Sequence, residues 1–224
     1  MGLKGERQSI LDFLGELKSN NSREWFNENR SRYDGARASF LSIVGELLGR
    51  FEEVDDLGGI GIKDCVFRIN RDLRFSKDKS PYKTAMSALL GRDGRKSGAR
   101  SYYFHVEPAG LSMLAGGLYD PSSAELGRIR SALDEDALSF KKIIRHPSFV
   151  RYFGTPSGES LKTAPQGYAQ DHPDIALLRM KQFVAVHTLS DEDILSKDLV
   201  EEALKVFKAM KPFLAYLESA LARD

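Results

Sequence analysis

Residues 102–115 read YYFHVEPAGLSMLA, and their reading decides the fold class. Tyr102, Phe104 and Val106 alternate with Tyr103, His105 and Glu107, the period of two expected of a strand with one buried face. Pro108-Ala109-Gly110 supplies turn chemistry, and Leu111–Ala115 follows as the return strand of a hairpin. Helical patterning lies on both sides. Ile10, Leu11, Phe13, Leu14 and Leu17 recur at helical spacing. Asn20-Asn21 breaks that run, Ser22 is placed as an N-cap, and a second helix carries Trp25 to Leu48 with a kink expected near Gly35. After Pro121 the pattern predicts helices over 122–133 and 137–145, a long ordered loop over 154–173, and a closing helix over 199–221. Three further strands are expected: Cys65–Ile69 by alternation, Thr84–Leu90 in preference to a helix started at Ser80-Pro81, and Gln182–Thr188. Gly91–Gly98 reads as a hairpin loop. Helices, then strands, then helices with one late strand give an α+β protein, a mainly antiparallel sheet with helices packed on it, in a single domain over residues 1–224.

Composition is that of a globular protein, 42% hydrophobic and 29% charged over 224 residues, long enough to bury a core without staples. The lone Cys65 excludes an internal disulfide and suits a reducing compartment, and its apolar surroundings read as those of a packed thiol. No signal peptide is evident, no apolar run approaches membrane-spanning length, and Gly2 lacks the hydroxyl residue at position 6 that myristoylation requires. The expected location is cytoplasmic, with no membrane partner.

Charge is unevenly placed. The whole chain carries +1, yet residues 68–100 hold ten Arg or Lys against three Asp, a local net of +7. Within it, residues 68–84 read RINRDLRFSKDKSPYKT. Arg68, Arg71 and Arg74 fall within seven residues, with Lys77, Lys79 and Lys83 close behind. Crowded guanidinium forks repel one another and suit bidentate capture of phosphate or carboxylate. Asp72 and Asp78 neutralise part of the charge, Ser76 and Tyr82 add hydroxyl donors, and Pro81 stiffens the turn. The ligand-binding candidates are therefore Arg68, Arg71, Asp72, Arg74, Ser76, Lys77, Asp78, Lys79, Tyr82 and Lys83. Ion pairs that merely pin a loop, with Phe75 and Tyr82 as core anchors, account for the same residues.

The stretch Arg68–Lys83 matches the pattern R-x-x-R-D-x-R-F-S-x-D-K-S-P-Y-K. The chain thereby resembles a bacterial and fungal family of conserved hypothetical proteins of unknown function. Asn20-Asn21 with Trp25-Phe26, a Gly116-Gly117-Leu118-Tyr119 turn with Pro121, and Gly167-Tyr168 with Asp171-His172-Pro173 extend the likeness over most of the chain. The resemblance implies a single α+β domain and brings no activity, substrate or cofactor.

Elsewhere the chemistry is sparse. Residues 91–97 lack the glycine a phosphate loop needs before Lys96. The histidines show no metal-ligand spacing, and no metal site is expected. No G-x-S-x-G or triad pattern is present. His105 with Glu107 on one strand face has the make-up of a general base pair, and equally of a hydrogen-bonded sheet surface. Three kinds of partner follow. An anionic small molecule ranks first. Nucleic acid, stacked on Phe75, Tyr82, Tyr102 and Tyr103, ranks behind it because net charge is near zero. An acidic protein partner is the third. Catalysis, cofactor and oligomeric state are left open by the sequence.

Overall fold

The computed structural model describes residues 2–74 and 77–223. In chain order its helices and strands are α1 (Leu3–Ser19), α2 (Arg23–Glu28), α3 (Arg30–Arg50), α4 (Ile62–Cys65), β1 (Met86–Leu90), β2 (Tyr102–Val106), β3 (Ser112–Leu118), α5 (Ser123–Ile144), α6 (Pro147–Phe153), α7 (Ile175–Leu178), β4 (Phe183–Leu189), α8 (Asp191–Leu195) and α9 (Leu199–Leu221). The strands form an antiparallel sheet in the order β1-β2-β3-β4, with helices packed against it, so the protein is α+β. Two compact units are distinguished: 1–97 with 103–114 and 188–205, and 98–102 with 115–187 and 206–224.

In the first unit α1 lies along α3, burying Ile10, Leu14 and Leu17 with Phe40, Val44 and Leu47. Phe40 stacks on Phe104 of β2, their rings 5.6 Å apart and 4° from parallel. Ser22 caps α2 as its position predicts, accepting a hydrogen bond from the Trp25 amide at 3.2 Å. The expected kink at Gly35 is displaced. The break falls at Asn29, whose side-chain amide donates to the Trp25 carbonyl at 2.9 Å, while Gly35 sits inside α3. An asparagine that bonds its own preceding turn competes with the helix more strongly than an interior glycine does.

In the second unit Phe140 of α5, Phe149 of α6 and Phe213 of α9 gather with Phe183 of β4 in one aromatic cluster. The two helices expected over 122–133 and 137–145 meet at a kink at Asp136, whose backbone is non-helical, within α5. The Asp136 carboxylate accepts from the amide and hydroxyl of Ser139 and so restarts the helix. The loop 154–173 pairs locally at Ser157 with Val184 and at Ser160 with Met180. Short helices α6 and α7 carry too little periodicity to be read from sequence.

Two strand expectations need correction. Cys65 ends the short helix α4, and residues 66–71 pair only in part, through bridges from Val66 to Ala88 and from Asn70 to Tyr82. The sequence also read Gly116–Tyr119 as a turn, but Gly116 to Leu118 continue β3. These glycines serve close packing: Gly117 has φ +117°, and a β-carbon there would lie 2.1 Å from the carbonyl oxygen of Phe183. Gly117→Ala is expected to destabilise by on the order of 3 kcal/mol in urea denaturation, since both the backbone angle and the space exclude a methyl. A change under about 1 kcal/mol would show that strand pairing here is loose.

Candidate functional site

The basic stretch is the far end of a distorted antiparallel ribbon in the first unit. Arg71 donates its amide to the Pro81 carbonyl at 2.9 Å, Lys83 to Ile69 at 2.8 Å, and Phe67 to Ser87 at 2.9 Å. Between the last two pairs one side advances two residues, from 67 to 69, while the other spans four, from 83 to 87. The surplus is a bulge at Thr84–Met86. Bulges re-aim side chains, and here Thr84 and Ala85 join Phe67, Arg71, Lys83, Ser87, Tyr103 and His105 around a cleft of about 400 Å³.

The ribbon is anchored from beneath. Asn21 clamps Tyr82 twice, donating to its carbonyl at 3.0 Å and accepting from its amide at 3.1 Å. The Tyr82 ring is buried and stacked on Phe26, with centroids 3.9 Å apart and planes 16° from parallel. Tyr82 is therefore corrected from ligand donor to anchor, because the ribbon's other face needs an apolar attachment. Tyr102 is likewise buried, so neither ring offers a stacking face to a nucleic acid.

The remaining candidates separate into two groups. Asp72 binds Arg74 through two oxygens, at 3.0 and 2.6 Å, and that arginine side chain is 77% exposed. Lys79 donates to the Leu73 carbonyl at 3.0 Å, and Lys77 is exposed. These four residues organise the outer loop. Ser76, and Phe75 beside it, lie outside the described residues. Arg71 is different: its side chain is 28% exposed, pairs with Asp78, and donates to the Ser80 hydroxyl at 2.8 Å while lining the cleft. The three arginine forks thus do not converge. Arg71 faces the cleft beside Lys83, and Arg74 is turned to its own aspartate. Other cations of residues 68–100 are also committed, Arg92 to Asp56, Arg100 to Glu218, and Arg95 to the carbonyls of Lys63 and Val66.

Lys83 differs from these committed cations. It is half-buried, its ammonium lies 5.3 Å from the centroid of the Phe67 ring, and among the described residues it has no carboxylate partner. Burial, and then the charge of Arg68, lower its pKa. Arg68 itself is exposed and makes no hydrogen bond or ion pair among the described residues.

The floor of the cleft carries a polar chain. The Tyr103 hydroxyl meets His105 Nδ1 at 3.1 Å, His105 Nε2 meets Glu107 at 3.1 Å, and Thr84 donates to the other Glu107 oxygen at 3.1 Å. Strand alternation places 103, 105 and 107 on one face. Their spacing marked His105 and Glu107 in the sequence, whereas Thr84 and Ser87 reach the site through the bulge, which leaves no mark in the pattern. Cys65 is buried, its thiol pushed up to about 11, as an inert packed cysteine requires. Among the described residues no group of His, Cys, Asp and Glu could hold a metal ion.

The profile of a family described as "Conserved hypothetical protein (DUF2461)" matches residues 9–216. The chain belongs to this family. DUF2461 membership covers every element that builds the cleft and attaches no reaction to it. No curated protein and no solved structure matches the chain. Among the described residues no helix is long and apolar enough to cross a membrane.

Two carboxylates report the order of this DUF2461 loop. Asp72 is held down at about 2 by its bonds to Arg74, and Asp78 at about 2 by the Ser80 amide and hydroxyl and by Arg71. Because both folded values lie below the ordinary carboxylate value of about 3.9, their contribution to stability is full above that pH. It is lost as the pH falls through about 2. Carboxyl NMR titration is expected to give midpoints near 2 for both; values near 3.9 would mean the loop's ion pairs do not persist in solution.

Proposed function

We propose that this protein binds a small molecule bearing a phosphate or carboxylate group in the cleft between the ribbon and β2, with Lys83 and Arg71 as its anchors. The observation that carries the reading is the Lys83 ammonium, half-buried against Phe67 without a carboxylate partner among the described residues. A partly desolvated cation is unfavourable unless something compensates it. An oxyanion beside it would offset both causes that lower its pKa, burial and the repulsion from Arg68. Arg71 adds a planar fork already held by Asp78 and Ser80, so little side-chain freedom is lost on binding. Arg68 extends the positive field at the rim, while Asp72, Arg74, Lys77 and Lys79 shape the loop outside. The expected setting is the cytoplasm, consistent with a lone buried cysteine.

Calorimetry with inorganic phosphate, methyl phosphate and citrate tests this. At least one is expected to bind saturably, and Lys83→Ala to weaken it roughly tenfold or more, the effect of one charge-assisted contact of about 1.5–3 kcal/mol. Arg74→Ala is expected to change affinity less than about twofold, the size of a screened surface charge. Absence of binding across the panel, or equal losses in the two variants, would remove the cleft as the site.

A further inference from the structure

Resting on that anion site, we propose that the ligand is a phosphate monoester and that the chain Tyr103–His105–Glu107 accepts its proton, which makes the cleft an acid–base site and not a passive anion trap.

The hydrogen-bond directions follow from what each group can do. A carboxylate only accepts, so His105 Nε2 carries the hydrogen and donates to Glu107 at 3.1 Å. Nδ1 is then the acceptor, and the Tyr103 hydroxyl donates to it at 3.1 Å. Both imidazole nitrogens are engaged, and the Tyr103 oxygen, which Ser87 also contacts, keeps a second lone pair with which to accept from a bound ligand. Burial pushes the Tyr103 phenol up, a hydrogen bond from Ser87 offsets part of this, and Glu107 adds to the rise, so the hydroxyl serves as a protonated conduit. Thr84 holds the second Glu107 oxygen at 3.1 Å, fixing the carboxylate that orients the ring. His105 and Glu107 are largely sheltered, with side chains 14% and 21% exposed. A surface polar ladder has no need of that shelter beside a half-buried cation.

The transfer balances without a co-reactant. The P–O–H bond of the monoanionic ester breaks and its proton bonds to the Tyr103 oxygen. The original Tyr103 O–H bond breaks and that proton bonds to His105 Nδ1. The ester is left as a dianion facing Lys83 and Arg71, and the imidazolium faces Glu107. Phosphate monoesters lose their second proton near pH 6, so the monoanion is a proton donor close to neutrality. A carboxylate ligand, deprotonated near pH 4, is far less able than a phosphate monoester to hold a shared proton near neutrality.

Calorimetry of methyl phosphate at pH 7.5, run in two buffers of different ionisation enthalpy, counts the protons exchanged on binding. The free ester is then mostly a dianion, so a proton held between the ester and His105 in the complex is drawn from the buffer and read as uptake. The charged and titratable groups facing His105 in the cleft are Tyr103, Glu107, Lys83 and Arg71, with Arg68 acting on Lys83. His105→Gln is expected to keep binding within a few-fold while uptake falls severalfold. Glu107→Gln, which removes the balancing charge, gives a second variant with the same expectation. Uptake near zero in the wild type, or unchanged in both variants because Lys83 supplies the titration, would overturn the proton site and leave the anion site standing. Failure of the wild type to bind methyl phosphate while binding citrate would overturn the monoester and leave a carboxylate site. Failure to bind any anion would overturn both.

Discussion

The Asn21 clamp on Tyr82, with the Tyr82 ring stacked on Phe26, is the constraint on which the site depends. Residues 86–88 of the ribbon belong to β1 of the sheet, but its outer part, 69–71 with 81–83, is a two-stranded stretch beyond the sheet, and such pairing alone is marginal in water. Two hydrogen bonds and a buried aromatic pair attach it to the helical layer. With Tyr82 fixed on the inner side, its neighbour Lys83 is directed outward over Phe67. The bulge that follows directs Thr84 and Ala85 into the cleft that Lys83 lines. Anchor and cation are adjacent residues with opposite tasks, as strand alternation allows.

The concentration of positive charge is resolved by separate partners. A net +7 over residues 68–100 looks in the sequence like one basic surface. In space most of its cations are separately neutralised or tied to carbonyls, some by partners distant in the chain such as Asp56 and Glu218. What remains facing the cleft is a small field from Lys83 and Arg71, with Arg68 at the rim. A field that local suits a compact anion better than a polyanion, whose affinity rests on many phosphate contacts at once.

The architecture was legible because strong periodicity and unambiguous caps agree with it. The hairpin around Pro108–Gly110, the cap at Ser22 and the span of α9 all follow from side-chain chemistry within a few residues. The candidate site was only partly legible. The motif lies on the ribbon, and of its residues Arg71 and Lys83 line the cleft. Three arginines spaced three apart gave no hint that Arg74 would turn back onto Asp72, since that depends on loop geometry two residues long. Tyr82 looked like a donor because burial of its ring is decided by Phe26, more than fifty residues earlier. The two-residue surplus in the ribbon was invisible for a similar reason. It is a relation between two segments, and neither segment records it alone.

Soaking a crystal of the protein in tungstate, an electron-dense analogue of phosphate, tests the central claim most directly. The account predicts one dominant anomalous peak within hydrogen-bonding reach of the Lys83 ammonium and the Arg71 guanidinium, on the Tyr103 side of the Phe67 ring. A peak instead on the outer loop at Arg74 and Lys77, with the cleft empty, would contradict it.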